Sequence, residues 1–318
     1  MQTPRYLAAL CLAMSLVLQA LSAHAEPLQF RWPLPAFAKV TQATIDDLGN
    51  FAVQFDLKAT RTPGGDTIQV TASNYRLLYL NRLLFEGSKL DNFDIFAVLH
   101  RLSIPEFTAD GRGRLLQSTP PDPQEIETAF IQNVSSARAA SLREWFVERR
   151  PADFGRVREH SASYWQAQIP YWEYWIGKWH SIFGPNPQDL DRKQPLPLAG
   201  LTVPGETHLI ERLPSPDCRH CVAVAAEDRF TQDDLAPYDS QLAAQIGMTR
   251  APGTPPMTGL RAYVRTEAII DWQTMLPYRV QAMTIIFQDL ADGSTENFDQ
   301  TKHFYFEWQQ ETAQRETQ

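Results

Sequence analysis

Two closely spaced cysteines are the residues best suited to covalent chemistry. They form Cys218-Arg219-His220-Cys221. Three kinds of site use such spacing: a structural disulfide, a thioredoxin-like redox pair and part of a metal site. A proline-rich stretch at 214–217 precedes the pair and a Val/Ala run follows it. This indicates a turn entering a strand, whereas a redox thiol needs a helix N-terminus. The sequence therefore favours a disulfide between Cys218 and Cys221, with redox activity and metal binding as alternatives.

A group of aromatic side chains is the second feature with chemical potential. Five of the eight tryptophans lie between residues 145 and 179. Trp172, Trp175, Trp179 and Phe183 recur at helical spacing and share one helical face. Either this face is buried in the core, or its rings line a ligand cavity, or it forms a protein-binding patch. The predicted ligand lining comprises Trp165, Tyr171, Trp172, Trp175 and Trp179.

Motifs for catalysis or cofactor binding are absent from the sequence. It has no Gly-x-Ser-x-Gly, His-Glu-x-x-His, phosphate-binding glycine loop or dinucleotide fingerprint. The histidines form no close pair with metal-ligand spacing. The acidic pairs Glu227-Asp228 and Asp233-Asp234 are interpreted as parts of solvated turns. We therefore predict no catalytic residue, no cofactor and no metal, although residues distant in sequence can still assemble an active site.

The N-terminus has the three parts of a signal peptide. Arg5 precedes an apolar run from Leu7 to Leu21, and Ala23-His24-Ala25 supplies small residues for cleavage after Ala25. The run is shorter than the roughly 20 residues of a membrane-spanning helix. A lipoprotein cysteine would stand at the end of the apolar run. Cys11 lies inside the run, so the sequence does not favour lipidation. We expect an exported, periplasmic protein without stable membrane insertion.

The net charge argues against two kinds of negatively charged partner. The chain carries a formal charge of −8 and has no basic cluster, which argues against binding nucleic acid or anionic membrane surfaces.

The polar segment 310–318 is interpreted as a tail, and 26–309 as one domain.

Patterns along that domain predict strands, then helices, then strands. Phe51, Val53, Phe55, Leu57 and Ala59 alternate with polar residues, and a return strand follows a turn at 63–66. We predict strands in 38–80, helices in 93–183 and strands in 206–308. The C-terminal strands are expected at 206–213, 221–230, 260–272, 276–290 and 297–308, with an Asp292-Gly293 hairpin turn. The proline-rich range 184–204 is expected to be a loop.

This order favours an α+β fold with an antiparallel sheet. The simplest arrangement is one curved sheet wrapped around or covered by the central helical segment.

The C-terminal strands also carry a resemblance. Residues 265–271 (RTEAIID) and 274–280 (TMLPYRV) form a strand ending at an aspartate, a turn at Leu-Pro and a return strand. This resembles lipoprotein carriers of the LolA/LolB type and similar exported bacterial proteins. The resemblance implies a half-barrel sheet that encloses an apolar cavity, and it transfers no functional residue.

We therefore expect an exported binding or carrier protein for a lipid, a glycolipid or another amphipathic envelope ligand. The alternatives are a non-enzymatic component of an envelope assembly, with an envelope protein as partner, and a hydrolase acting on envelope polymers.

Overall fold

The structure is a computed structural model that describes residues 28–46, 49–79, 106–119, 124, 170–184, 190, 192–199, 201–245 and 256–309. Three predictions fall outside these residues: the signal peptide 1–25, most of the helical segment before residue 170, including Trp165, and the tail 310–318.

One antiparallel sheet dominates the described part of the chain. Its eleven strands lie in the order β5-β4-β3-β2-β1-β11-β10-β9-β8-β7-β6. The strands are β1 Ala36–Asp46, β2 Gly49–Arg61, β3 Thr67–Tyr79, β4 Glu106–Asp110, β5 Leu115–Thr119, β6 Gln194–Leu198, β7 Leu201–Pro214, β8 Cys221–Phe230, β9 Met257–Asp271, β10 Pro277–Leu290 and β11 Thr295–Trp308. The predicted antiparallel sheet is thus confirmed.

The helices of the described part are few and short. The first is a continuous run made of α1 Pro170–Trp172, a π-helical turn Glu173–Gly177 and α2 Lys178–Phe183; we call it the 170–183 helix. The second group lies between β8 and β9: α3 Gln232–Leu235, a 3₁₀ turn Ala236–Tyr238 and α4 Asp239–Gln245. None of the helices in the described part is both long enough and apolar enough to cross a bilayer.

Alternation in the sequence explains which face of the sheet is buried. Val53, Phe55, Leu57 and Ala59 of β2 are buried, as their spacing predicts. In β11, Phe304 and Phe306 are buried while Tyr305 between them is exposed. These side chains belong to one apolar core on a single face of the sheet.

The predicted C-terminal turns are also present. Gly293 has a φ of +84°, a left-handed conformation that glycine adopts without strain, and it joins β10 to β11. The strand β9 ends at Asp271, whose carboxylate accepts hydrogen bonds from the backbone N–H groups of Gln273 and Thr274 at 2.7 and 3.1 Å. The return strand β10 then begins at Pro277.

A hairpin lies within the range predicted to be helical. Strands β4 and β5 occupy residues 106–119. Asp110 accepts hydrogen bonds from the backbone N–H groups of Arg112 and Arg114, both at 2.9 Å, and Gly113 has a φ of +81°. Buried Phe107 and Ala109 alternate with polar residues over one short strand. This alternation is too short to be recognised as a strand in the sequence, so the prediction of helices throughout 93–183 is wrong at 106–119.

The proline-rich range 184–204 is only partly a loop, which corrects its interpretation. Pro195 and Pro197 lie in β6, and Pro204 lies in β7 opposite Pro195. The strand β6 is the last in the sheet order. An edge strand needs hydrogen bonds on one side only, so proline, which lacks an N–H, is tolerated there.

Candidate functional site

The 170–183 helix lies against the buried face of the sheet and carries the aromatic stripe. The described part of the helix starts at Pro170. It ends before Gly184, whose N–H donates to the carbonyl of His180 at 2.9 Å. The turn Glu173–Gly177 is π-helical, a geometry found frequently at functional sites.

The aromatic stripe is packed into the core. Trp172, Trp175 and Trp179 are each at most 1% exposed. The ring centroid of Trp175 lies 5.7, 5.5 and 5.3 Å from those of Phe107, Phe304 and Phe306, respectively. Edge-to-face pairs at such distances stabilise a core by more than the burial of their apolar surface alone.

Two of the three indoles also have hydrogen-bond partners. The Nε1 of Trp172 donates to the carbonyl of Gly113 at 3.0 Å, and that of Trp179 donates to the carbonyl of Tyr174 at 3.0 Å. The Nε1 of Trp175 is buried without a hydrogen bond in the described part. The stripe is therefore a core element in this structure, and its role as a ligand lining stays a prediction.

A second, polar-tipped stripe runs beside the first. Tyr171, Tyr174 and Lys178 follow at helical spacing and are buried. Gln42 of β1 donates to the hydroxyl of Tyr171 at 2.9 Å, and the ammonium of Lys302 lies 4.9 Å from the centroid of the Tyr171 ring. The helix thus contacts the sheet through aromatic rings on one side and polar groups on the other.

The central contact of this polar stripe is a buried ion pair. The Nζ of Lys178 lies 2.5 Å from an oxygen of Asp228 on β8, and their side chains are 5% and 2% exposed. The other oxygen of Asp228 accepts a hydrogen bond from Thr207 at 2.8 Å, and Thr207 accepts one from Gln194 at 3.3 Å. The interpretation of Asp228 as part of a solvated turn is therefore wrong. Both charges are paired, as burial requires.

The interpretation of Asp233-Asp234 as part of a solvated turn is wrong for Asp234. Asp234 is buried and lies in α3. It accepts hydrogen bonds from the N–H and hydroxyl of Thr231 at 2.9 and 2.5 Å and from Lys193 at 2.5 Å. Burial alone would raise the pKa of Asp234, but these donors hold it below its ordinary value. Asp234 therefore caps a helix.

Tyr174 lies between the ion pair and β10. Burial raises the pKa of its hydroxyl, and the negative charge of Asp228 raises it further; a hydrogen bond from Thr284 acts in the opposite direction. Tyr174 therefore remains a neutral hydrogen-bonding group.

Glu173 is the unusual member of this site. Its carboxylate lies over Gly177, in the space that a Cβ at residue 177 would fill. Burial raises the pKa of Glu173 to about 7; Lys178 opposes this shift and Asp228 adds to it. The Nζ of Lys178 already binds Asp228, and the Glu173 carboxylate makes no hydrogen bond in the described part of the chain. We call Glu173, Tyr174, Lys178, Asp228 and Thr207 the buried polar cluster.

Solvent reaches one side of this helix. Glu173, Gly177, His180 and Ser181 are all partly exposed, and their spacing places them along one face. Protein nevertheless encloses the Glu173 carboxyl closely enough to disfavour its charged form.

The cysteine site has the predicted form. A disulfide joins Cys218 to Cys221; Cys221 is the first residue of β8, and the turn before it follows β7. Neither cysteine begins a helix, which is the position that activates a redox thiol. Among the described residues, no three His, Cys, Asp or Glu side chains form a group that could hold a metal ion.

Sequence reasoning missed Glu173, Lys178 and Asp228. A signal existed for Asp228, because it shares the parity of Val222, Val224 and Phe230, which are buried. A second signal was the presence of two charged residues within an otherwise aromatic helix.

No family model matches this chain, and no curated protein matches it either.

Proposed function

We propose that the protein is an exported, periplasmic binding or carrier protein for a lipid-like or amphipathic envelope ligand. The observation that carries the proposal is the pair of stripes on the 170–183 helix: aromatic rings on one side and the buried polar cluster on the other. Sites for small amphipathic molecules combine a mainly apolar lining with a few polar groups that fix orientation.

The proposed architecture is a curved half barrel covered by helices. The sheet order and the position of the 170–183 helix on its buried face support this arrangement. In the proposal, the apolar part of the ligand contacts the rings of Tyr171, Trp172, Trp175 and Trp179, together with that of Trp165. Because the first four are buried in this structure, a ligand contacts their rings only if the helix shifts from the sheet.

The test is native mass spectrometry of the protein purified from the periplasm, followed by organic extraction and analysis of lipids and glycolipids. A bound amphiphile at one per chain is the expected result. Binding of dodecyl maltoside, followed by tryptophan fluorescence below its micelle concentration, provides an independent measurement. The proposal would be contradicted if the purified protein carried no lipid and also failed to bind dodecyl maltoside.

Variants sharpen this test. Trp172→Phe and Trp175→Phe keep aromatic packing but change the lining, so they should weaken dodecyl maltoside binding while the fold is retained. Unchanged affinity in both folded variants would remove these rings from the site.

A second candidate function is a non-enzymatic component of an envelope assembly. Residues 206–214 of β7 pair with β8 on one side, but β6 pairs only as far as Gly205, so their other side has no strand in the described part. Leu209, Ile210 and Leu213 on this segment are 43%, 44% and 53% exposed. An unpaired edge with apolar side chains can accept an extended peptide as an added strand.

This candidate is tested by Leu213→Lys. If the edge binds a protein, the wild type should retain a specific envelope protein at defined stoichiometry and the variant should lose it. Identical behaviour of both proteins would exclude the edge as an interface.

A further inference from the structure

The position of Glu173 identifies what the site would recognise, an inference that rests on the proposed function. We propose that the Glu173 carboxylate binds a primary ammonium group of the ligand, as an aminated headgroup would supply. The argument starts from the neighbours of Glu173 and from the charges they leave unbalanced.

Among the residues that the structure describes, the buried polar cluster contains two carboxylates and one cation. Lys178 is the cation of the cluster, and its Nζ binds Asp228, which is also held by Thr207. That pair is complete without Glu173. When Glu173 ionises, the cluster therefore carries a net negative charge, and a buried charge without a partner is costly.

A cation supplied by a ligand removes this cost. A hydroxyl group would satisfy an oxygen of Glu173 but would leave the net charge in place. A primary ammonium supplies both a positive charge and three donors, and charge-assisted hydrogen bonds are stronger than neutral ones. The charge balance therefore favours an ammonium over a sugar hydroxyl.

Glu173 belongs to the partly exposed face of the helix. Gly177 provides the space in which the carboxylate lies, since a methyl group at residue 177 would collide with it. Gly177 and His180 lie on the same partly exposed face. Further along this face, Asp110, Arg112 and Arg114 of the β4–β5 hairpin act on His180; within the described part of the chain, the charges that act on Glu173 are those of Lys178 and Asp228.

Ammonium binding at this position must depend on pH. The pKa of Glu173 is about 7, and only the ionised carboxylate attracts a cation. Because an alkylammonium keeps its charge well above this range, affinity should rise by about tenfold between pH 6 and pH 8 as Glu173 ionises.

The experiment is isothermal titration calorimetry with three probes below their micelle concentrations: dodecylammonium, dodecyl maltoside and ethanolamine. The wild type should bind dodecylammonium about tenfold more tightly at pH 8 than at pH 6 and bind dodecyl maltoside equally at both. Glu173→Gln should lose the pH dependence for dodecylammonium and keep its affinity for dodecyl maltoside. Glu211→Gln, a change at an exposed glutamate of β7, should match the wild type.

Two further comparisons complete the design. Gly177→Ala keeps the charge of Glu173 but fills its space, so it should reduce dodecylammonium affinity at pH 8 toward that of Glu173→Gln. Binding of ethanolamine alone would assign the site to small free amines, and binding of dodecylammonium alone would assign it to an aminated amphiphile; both support the inference.

The failing results are distinct. Equal, pH-independent binding of dodecylammonium by the wild type and Glu173→Gln, with dodecyl maltoside still bound, would overturn the ammonium site and leave the proposed function standing. No binding of any probe would overturn both.

Discussion

Replacing Glu173 by glutamine should make the protein more stable, and by an amount that depends on pH. Burial raises the pKa of Glu173 from 4.5 to about 7 in the folded protein. The folded state therefore holds the proton more tightly than the unfolded state. For such a group, the free energy of unfolding falls as pH rises from 4.5 to 7. Each pKa unit corresponds to about 1.4 kcal/mol, so the full loss is about 3 kcal/mol.

Glu173→Gln removes this loss because glutamine does not ionise. The difference in free energy of unfolding between variant and wild type should be small at pH 4.5 and approach about 3 kcal/mol by pH 8. The measurement is urea unfolding followed by tryptophan fluorescence at half-unit intervals across this range. Asp110 and Asp234, whose pKa values are lowered, make stability fall as pH drops; both proteins share these groups, so their contribution cancels in the difference.

The control is Glu211→Gln, which removes the same charge from an exposed position. It should shift stability little, and by an amount that does not change over the same pH range. The reasoning is refuted if the curve for Glu173→Gln runs parallel to the wild-type curve, because a parallel curve means that Glu173 titrates alike in both states.

Three further changes test other parts of the structure. Lys178→Met leaves buried Asp228 unpaired and should lower the free energy of unfolding by about 3–5 kcal/mol, and adding Asp228→Leu should restore most of it; urea unfolding measures both, and no recovery would contradict the pairing. Trp175→Ala should cost about 3–5 kcal/mol and reduce the near-ultraviolet circular dichroism, whereas a loss below about 1 kcal/mol would mean that this ring is not packed in the core. Cys218→Ser with Cys221→Ser opens a short loop and should cost about 2 kcal/mol; in denatured wild type, Cys218 and Cys221 should resist thiol labelling until reduced, and labelling of either residue without reductant would disprove the disulfide.

Local alternation made most of the sheet predictable. The strands around Phe55, Val70 and Phe304 bury the side chains that their spacing predicts. The strand β6 was missed because its tolerance of Pro195 and Pro197 depends on its place at the edge of the sheet, and order within a sheet is set by long-range pairing that no local pattern contains.

The site was harder to predict than the sheet. The aromatic stripe was visible because it follows the period of a regular helix. The relation of Glu173 to Lys178 was not, because residues five apart do not share a face of a regular helix, and the π-helical turn between them changes that relation. The burial of Asp228 depends on which face of β8 meets the helix, which is a tertiary property.

The pairing of β1 with β11 has a consequence for how the chain acquires this structure. Val40 lies opposite Phe306, so the strand pairing that joins the meander β1–β5 to the meander β6–β11 is formed by the strands that come first and last in the described sequence. Contacts between residues so far apart in sequence slow folding, because a long loop must close before they form. During synthesis, the edge of β1 that pairs with β11 therefore stays unpaired until the last strand has been made. An unpaired apolar strand in a partly made chain invites aggregation, and we expect this protein to depend on holdase chaperones during that interval.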